Sequence, residues 1–199
     1  MARSSTPGRR RPGAARPHAP RAAGTLAAPG GAVSIDDAVR PRNWQELDLR
    51  PLTDAAQARP LFDFAAVRCP DPAGVAYGWG AFAADGALVA SVLAERAGRA
   101  VMLHGPLVKL DGSVSGDPLD LASQLVQAAL DHMQALGADT AFARPQGLDR
   151  VWIRFGFIPV PEAALPAAFA GSDGAGLYGW RGGSALWTFR DAGTGETAA

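Results

Sequence analysis

Residues 75–110 read VAYGWGAFAADGALVASVLAERAGRAVMLHGPLVKL. This stretch decides the fold, because it contains three runs rich in strand-forming residues that are separated by glycine-containing turns. An Asp-Gly pair at positions 85 and 86 joins the first run to the second, and such a two-residue connection is a strong hairpin signal. The sequence therefore predicts a three-stranded antiparallel meander, with strands at Val75 to Ala83, Ala87 to Glu95 and Ala100 to Leu110.

The third of these strands is interrupted by Gly105-Pro106. Proline has no backbone N–H, so inside a paired strand it removes one hydrogen bond of the ladder. We therefore expect this strand to be bulged, or unpaired on one side, at that point.

A strand and a helix are predicted before the meander. Apolar residues in the segment 47–52 indicate a short strand, and Thr53-Asp54 supplies a helix N-cap. The helix is expected to run to Cys69, with Pro60 kinking or restarting it.

The clearest helix signal follows the meander. Asp117 is a good N-cap, Pro118 occupies the favoured first helical position, and apolar residues recur on one face until Gly137. The elements predicted beyond it are a strand at 140–144, a short helix at 148–155, a strand at 157–160, one or two helical turns at 163–170, a glycine-rich connection at 171–183 and a last strand at 185–190.

Length and composition predict one domain with a basic tail, and the order of the predicted strands and helices makes it an α/β (α+β) domain. The chain has 199 residues, 48% of them apolar, which is enough for one core but not for two full domains. Residues 1–43 hold eight arginines against two aspartates, so this segment carries +6 and the remainder −6. Because the segment has few large apolar side chains, we expect 1–43 to be disordered, 44–190 to form the domain and 191–199 to fray.

Several functional classes are disfavoured by the sequence. The single cysteine, Cys69, excludes an internal disulfide framework and a cysteine-based zinc site, and is what a reducing cytoplasm allows. No apolar run is long enough to span a bilayer, and no apolar signal-peptide segment follows the first arginines. Three arginines at 9–11 would give only weak, salt-sensitive contact with nucleic acid. We therefore expect a cytoplasmic protein that binds neither membrane nor nucleic acid, although nucleic-acid binding through the tail stays open as a third possibility.

The order of the predicted elements over residues 45–190 resembles a GNAT-type (Gcn5-related) acyl-CoA N-acyltransferase. Two local stretches are similar to that family: LRPLTD at 49–54 resembles its opening strand and capped helix, and VWIRFGFIPVP at 151–161 resembles its late helix ending in Gly-Phe. With Leu165-Pro166 shortly after, the second stretch most resembles some amino-acid N-acetyltransferases.

This resemblance implies a mixed, mainly antiparallel central sheet flanked by helices, in which the family's fourth and fifth strands splay apart. It also implies acetyl-CoA or another acyl-CoA as co-substrate, a small-molecule or peptide amine as acceptor, and no metal. A homodimer is left open.

The cofactor residues implied by the resemblance fall into three groups. The broken strand supplies Gly105, Leu107 and Val108, the following loop supplies Gly112, Ser113, Ser115 and Gly116, and Trp152 stands where many members have a proton-donating tyrosine.

The loop departs from the family's Arg/Gln-x-x-Gly-x-Gly/Ala motif, which holds the pyrophosphate. It begins with neither Arg nor Gln, Pro118 removes one donor, and the carboxylate of Asp117 should repel phosphate. This departure keeps a second hypothesis open, namely a catalytically inactive GNAT-like binding or regulatory domain.

Transfer to an amine needs a base and donors for an oxyanion. His104, just before the strand break, is the first candidate for the base, and Glu95 is the second. Tyr77, Trp79 and Arg144 are candidates for acceptor binding, and the glycines at 171–183 for a lid or acceptor loop. Each of these residues also fits a purely structural role.

Overall fold

The computed structural model describes residues 34–109, 116–146, 148–171, 174 and 176–181. The strands within this part are β1 Arg42–Trp44, β2 Leu47–Pro51, β3 Val75–Phe82, β4 Leu88–Ala97, β5 Ala100–Val108, β6 Thr140–Ala143, β7 Ile158–Pro159 and β8 Tyr178–Arg181. The α-helices are α1 Ile35–Ala38, α2 Arg59–Phe64, α3 Pro118–Ala135 and α4 Asp149–Arg154. Short 3-10 turns lie at Ala55–Ala58, Pro72–Gly74, Glu162–Ala164 and Ala167–Phe169.

One sheet contains all eight described strands, in the order β1-β2-β3-β4-β5-β6-β8-β7. Among these strands the β5–β6 pair is parallel and every other pair is antiparallel. Helix α3 packs on one face of the sheet, and α2 with the turn before it packs on the other. The predicted mixed, mainly antiparallel sheet flanked by helices is confirmed.

The predicted meander is confirmed as β3, β4 and β5. Ala87 N–H donates to the Asp85 carboxylate at 2.9 Å, and Gly86 takes φ +82°, as a tight turn between two strands requires. Strand β4 extends two residues past the predicted end at Glu95, to Ala97.

The predicted break at Gly105-Pro106 is also confirmed, on both sides of β5. Against β4, Ser91 pairs with Leu107 and Leu93 with His104, so two residues of β5 lie opposite one of β4 as a bulge. Against β6, the parallel pairing ends at Leu103, whereas β5 continues to Val108. The second half of β5 therefore has no parallel partner strand among the described residues.

Helix α3 provides the largest part of the core. The Asp117 side chain accepts the Leu119 N–H at 2.9 Å, and the helix ends at Ala135 just before Gly137, which takes φ +76°. Leu121 and Leu125 on its inner face are completely buried, and burying each leucine contributes about 1.5–3 kcal/mol. The predicted helix is confirmed at both ends.

The predicted helix before the meander is shorter than expected. A 3-10 turn at Ala55–Ala58, capped by Asp54, leads into α2, and Pro60 lies in the first turn of α2. Pro60 thus restarts the helix, as predicted. The chain leaves the helix at Phe64, and Ala66 adopts φ +53°, so the segment does not continue as a helix to Cys69.

Regular structure begins earlier than the predicted domain boundary at residue 44. Helix α1 is capped by Ser34, whose hydroxyl oxygen accepts the Asp37 N–H, and strand β1 starts at Arg42. The Arg42 guanidinium forms an ion pair with Asp131 on α3 at 2.8 Å, which ties this edge of the sheet to the helix.

The end of the described chain corrects another expectation. Tyr178–Arg181 was expected within a glycine-rich connection but forms β8, which pairs with β6 and β7. Gly179 allows this close packing, because a Cβ there would lie 3.2 Å from the Val160 side chain. Two 3-10 turns occupy the segment predicted as helical turns at 163–170. The strand predicted at 185–190 lies outside the described residues.

None of the helices in the described ranges is both long and apolar enough to cross a lipid bilayer.

Candidate functional site

Two cavities adjoin at the break in β5. One is polar, has a volume of about 230 Å³ and is lined by Glu95, Leu103, His104 and Arg144 together with Val67, Arg68, Pro70, Asp71, Gln146 and residues 168–171. The other is mainly apolar, has a volume of about 590 Å³ and is lined by Leu61, Phe64, Ala65, Pro106, Leu107, Val108, Asp117, Pro118, Leu119, Gln146 and Leu148. His104 and Pro106 thus line different cavities, while Gln146 lines both.

The polar cavity contains a histidine–carboxylate pair. His104 on β5 and Glu95 on β4 lie on neighbouring strands, and the distance from His104 Nε2 to Glu95 Oε2 is 3.0 Å. A carboxylate can only accept a hydrogen bond, so Nε2–H is the donor. In the neutral imidazole this leaves the lone pair on Nδ1, the arrangement that a general base needs.

Burial keeps the His104 imidazole neutral. The side chain is 17% exposed, and desolvation lowers its pKa below the ordinary value of 6.5, an effect that the hydrogen bond and charge of Glu95 partly oppose. His104 is therefore unprotonated at neutral pH and able to accept a proton.

If His104 acts as the base in a reaction, the pH dependence of that reaction's rate should show the protonation of the His104–Glu95 pair. We expect kcat/KM to fall as the pH drops, with a midpoint below 6.5, because the neutral base is active and its pKa is lowered. Glu95→Gln should move that midpoint to still lower pH, since it removes the charge that raises the His104 pKa. Steady-state rates at a fixed amine concentration measure both midpoints, and a shift to higher pH in the variant contradicts the assignment.

Arg144 lies at the carboxyl end of β6, in the wall of the polar cavity. Its side chain is 9% exposed, and its guanidinium donates to both carboxylate oxygens of Glu162 and to the Gly176 carbonyl. The hydrogen bond from Arg144 lowers the pKa of the Glu162 carboxyl. Arg144 therefore joins β6 to the segments at 162 and 176 that cover this end of the sheet, in addition to facing the cavity.

The apolar cavity follows the part of β5 that has no parallel partner strand among the described residues. Leu107 and Val108, both predicted to contact the cofactor, lie in its wall beside Pro106. Gly105 lies between the two cavities and takes φ +92°, and a Cβ there would meet the Ser91 carbonyl oxygen and the Leu107 nitrogen at 3.0 Å. Both contacts are with backbone atoms, so this bulge requires glycine.

The first turn of α3 closes one end of the apolar cavity. Pro118 has no N–H, and the Leu119 N–H is bonded to the Asp117 side chain. The Asp120 N–H is bonded to the Asp117 carbonyl at 3.0 Å. Pro118, Leu119 and Asp120 thus offer the cavity none of the free N–H groups with which a helix N-terminus binds anions, and Asp117 also lines it.

Three residues predicted for the site lie in the core instead. Tyr77 and Trp79 are buried beneath α3, and the Tyr77 hydroxyl donates to the Ala129 carbonyl. Inward-facing residues of β3 pack on that helix, so neither ring lines the polar cavity. Trp152 is fully buried on α4, with its ring centroid 4.9 Å from that of Phe157, and it lines neither cavity.

The predicted loop residues are only partly described. Gly112, Ser113 and Ser115 lie outside the described residues. Gly116 takes φ +108° and packs against Gln45 of the β1–β2 turn, so it contacts that turn instead of lining the apolar cavity.

Most of the other residues that line the two cavities were not predicted as site residues. Arg68, Gln146 and Phe169 come from connections whose position depends on distant packing, which no local pattern reveals. Phe64 is different, because it is 62% exposed at the end of α2, and a large apolar residue at a helix end beside Leu61 and Phe62 is a signal that could have been used.

Among the residues that the structure describes, no cluster of three or more His, Cys, Asp or Glu side chains could hold a metal ion.

Neither a protein-family model nor a curated protein matches this chain. Solved structures do. The chain is similar to a GNAT-family acetyltransferase from Staphylococcus aureus, with a TM-score of 0.53, 10% identity, and coverage of 68% of this chain and 98% of that one. An acetyltransferase from Streptococcus agalactiae gives a TM-score of 0.53, 13% identity, and coverage of 69% and 99%.

A third similar structure is the N-acetylglutamate synthase of Neisseria gonorrhoeae, solved with coenzyme A and N-acetyl-glutamate. Its TM-score is 0.50 at 15% identity, and the match covers 67% of this chain and 35% of that one. Each of the three similarities extends over about two thirds of this chain. The chain therefore has the fold of the GNAT-family acetyltransferases.

Proposed function

We propose that the protein is an acyl-CoA-dependent N-acyltransferase. The observation that carries this proposal is the position of the His104–Glu95 pair, which lies at the junction between a polar cavity and an apolar one. The apolar cavity suits the thioester arm of the donor, and the polar cavity suits an amine of modest size, either a small molecule or the end of a peptide.

The reaction would be a direct transfer. The amine nitrogen attacks the thioester carbonyl, the C–N bond forms, and the amine proton moves to Nδ1 of His104. The C–S bond then breaks, and the thiolate takes up a proton from the imidazolium or from water. Glu95 is a positioning residue that fixes the tautomer of His104.

The strand break contributes to the same step. The bulge at Gly105-Pro106 takes backbone groups out of the β4–β5 ladder, and an N–H freed in this way can donate to the developing oxyanion. The similarity to N-acetylglutamate synthase, whose structure contains coenzyme A and an acylated amino acid, supports this choice of substrates.

The alternative is a GNAT-like binding or regulatory domain without catalytic activity. One observation favours it: the N–H groups of Leu119 and Asp120 are already bonded to Asp117, at the place where a pyrophosphate would be expected. Fold similarity does not choose between the two functions.

A thermal melt separates them. A ligand at 100 times its dissociation constant adds about 2.7 kcal/mol to the free energy of unfolding. For a chain of this size we expect millimolar acetyl-CoA to raise Tm by several degrees, whereas millimolar acetate should not. An unchanged Tm with acetyl-CoA would favour the binding domain.

We further propose a cytoplasmic location. It is supported by the single Cys69 thiol, which is partly buried and not part of a disulfide.

A further inference from the structure

The segment 162–171 supplies one wall of the polar cavity. It contains the two 3-10 turns at Glu162–Ala164 and Ala167–Phe169, and its last four residues line the cavity. His104 and Glu95 lie on β5 and β4, so the wall and the histidine–carboxylate pair come from different parts of the fold. The position of this wall therefore sets how much space an acceptor finds beside His104.

Phe169 fixes the wall to the sheet. Its side chain is 4% exposed and packs with Met102, Phe142 and Leu177 in a separate apolar cluster. Met102 and Phe142 are directly paired residues of the parallel strands β5 and β6. Moving the wall away from the sheet would expose the Phe169 ring to water, which is unfavourable, so the wall is held close to both strands.

An ion pair is the second anchor of the wall. The buried Arg144 donates to both carboxylate oxygens of Glu162 and to the Gly176 carbonyl. Two parallel hydrogen bonds between a guanidinium and a carboxylate fix their relative geometry as well as adding attraction. Because Arg144 itself lines the polar cavity, this pair ties the wall directly to a cavity residue.

The anchored wall leaves a small and polar space. The cavity has a volume of about 230 Å³, which is below the range of about 300–1,000 Å³ that is typical of pockets for drug-sized ligands. The lining side chains that can donate or accept hydrogen bonds are Arg68, Asp71, Glu95, His104, Arg144 and Gln146. A small amine with further polar groups matches this space, whereas a peptide needs room for the residues that follow its amino group.

We propose that the wall at 162–171, held by Phe169 and by the Arg144–Glu162 ion pair, selects the acceptor by size, so that the acceptor is a small polar amine and not a peptide. This inference rests on the proposed function and narrows it. The wall determines specificity and takes no part in the proton transfer, which stays with His104.

Acyl transfer from acetyl-CoA to matched acceptors tests the inference. Free amino acids, diamines and amino sugars serve as small polar amines, alkylamines of similar length as apolar ones, and short peptides that begin with the same amino acids as large ones. We expect kcat/KM for the best small polar amine to exceed that for every peptide and alkylamine by about tenfold or more.

The same assay distinguishes failure of the inference from failure of the proposed function. A peptide or an alkylamine with a kcat/KM less than about tenfold below that of the best small polar amine would overturn the inference and leave the proposed function intact. Transfer to none of the amines would contradict the proposed function itself.

Glu162→Ala tests the wall directly. The Glu162 side chain is 63% exposed, so its removal should preserve the fold while it releases the wall from Arg144. We expect the ratio of kcat/KM for the best small amine to that for the short peptides to fall by about tenfold or more, because the cavity can then widen. An unchanged ratio in the folded variant would contradict the role of the wall.

Asp139→Ala is the matched control for this change. Asp139 accepts two hydrogen bonds from Arg99 in another surface ion pair, but it lines neither cavity. The ratio of the two kcat/KM values should therefore stay at that of the parent protein. An equal fall in both variants would show that general loosening of the surface, and not the wall, changes the acceptor range, and would overturn the inference.

Discussion

Replacing His104 with alanine should lower kcat/KM for acyl transfer by roughly 10²- to 10⁴-fold, the usual contribution of a positioned general base. His104 directly precedes the strand break, and burial lowers its pKa below the ordinary value, so that it is neutral at neutral pH. Steady-state assays with acetyl-CoA and an accepted amine measure the loss.

A second histidine provides the control. His132 on α3 is also buried, with a lowered pKa, but it packs against Tyr77 with a ring distance of 4.3 Å and lines neither cavity. His132→Phe keeps an aromatic ring there and should leave kcat/KM within a few-fold of the parent. If His104→Ala retains full activity in a folded protein, His104 is not the base.

Asp117→Asn should tighten the binding of coenzyme A by up to about a hundredfold. A carboxylate and a phosphate charge separated by about 6 Å repel each other by about 3 kcal/mol at an effective dielectric of 20, and 1.4 kcal/mol corresponds to a factor of ten. Asparagine caps a helix as well as aspartate does, so the start of α3 should be kept. Titration with coenzyme A and with pantetheine measures the effect, which should appear for coenzyme A alone.

Asp54→Asn is a matched control for this change. Asp54 also caps a turn, its carboxylate accepting the Ala56 N–H at 2.8 Å, but it lines neither cavity. Coenzyme A affinity should therefore be unchanged. Equal or weaker binding in Asp117→Asn would show that its carboxylate does not repel the donor.

Local signals were sufficient for the meander and for α3. The Asp85-Gly86 turn between two runs of strand-forming residues indicates a hairpin, and Asp117 with Gly137 marks both ends of the long helix. The strand break was predictable for the same reason, because the missing N–H of Pro106 is a property of one residue.

The local sequence of a strand did not reveal which element of the fold would cover each of its two faces. Tyr77 and Trp79 share a face of β3, but the position of α3 decides that this face is core instead of cavity wall. Strand β8 was missed because its pairing with β6 and β7 joins elements that are distant in the sequence.

The part of the site that contains Glu95 and His104 was predictable, because both residues lie on neighbouring strands of one hairpin. The turn at Gly98 places β4 beside β5, so Glu95 and His104 come within hydrogen-bonding distance from one hairpin. The bonds from Arg144 to Glu162 and Gly176 join segments 18 and 32 residues apart, and no spacing in the sequence indicates them.

A crystal structure of the protein with bound coenzyme A tests the whole account most directly. We expect the pantetheine arm to run along Pro106 to Val108 in the apolar cavity, with its sulfur at the strand break facing the His104 side. Coenzyme A bound elsewhere, with β5 and the first turn of α3 untouched, would contradict the proposed enzyme.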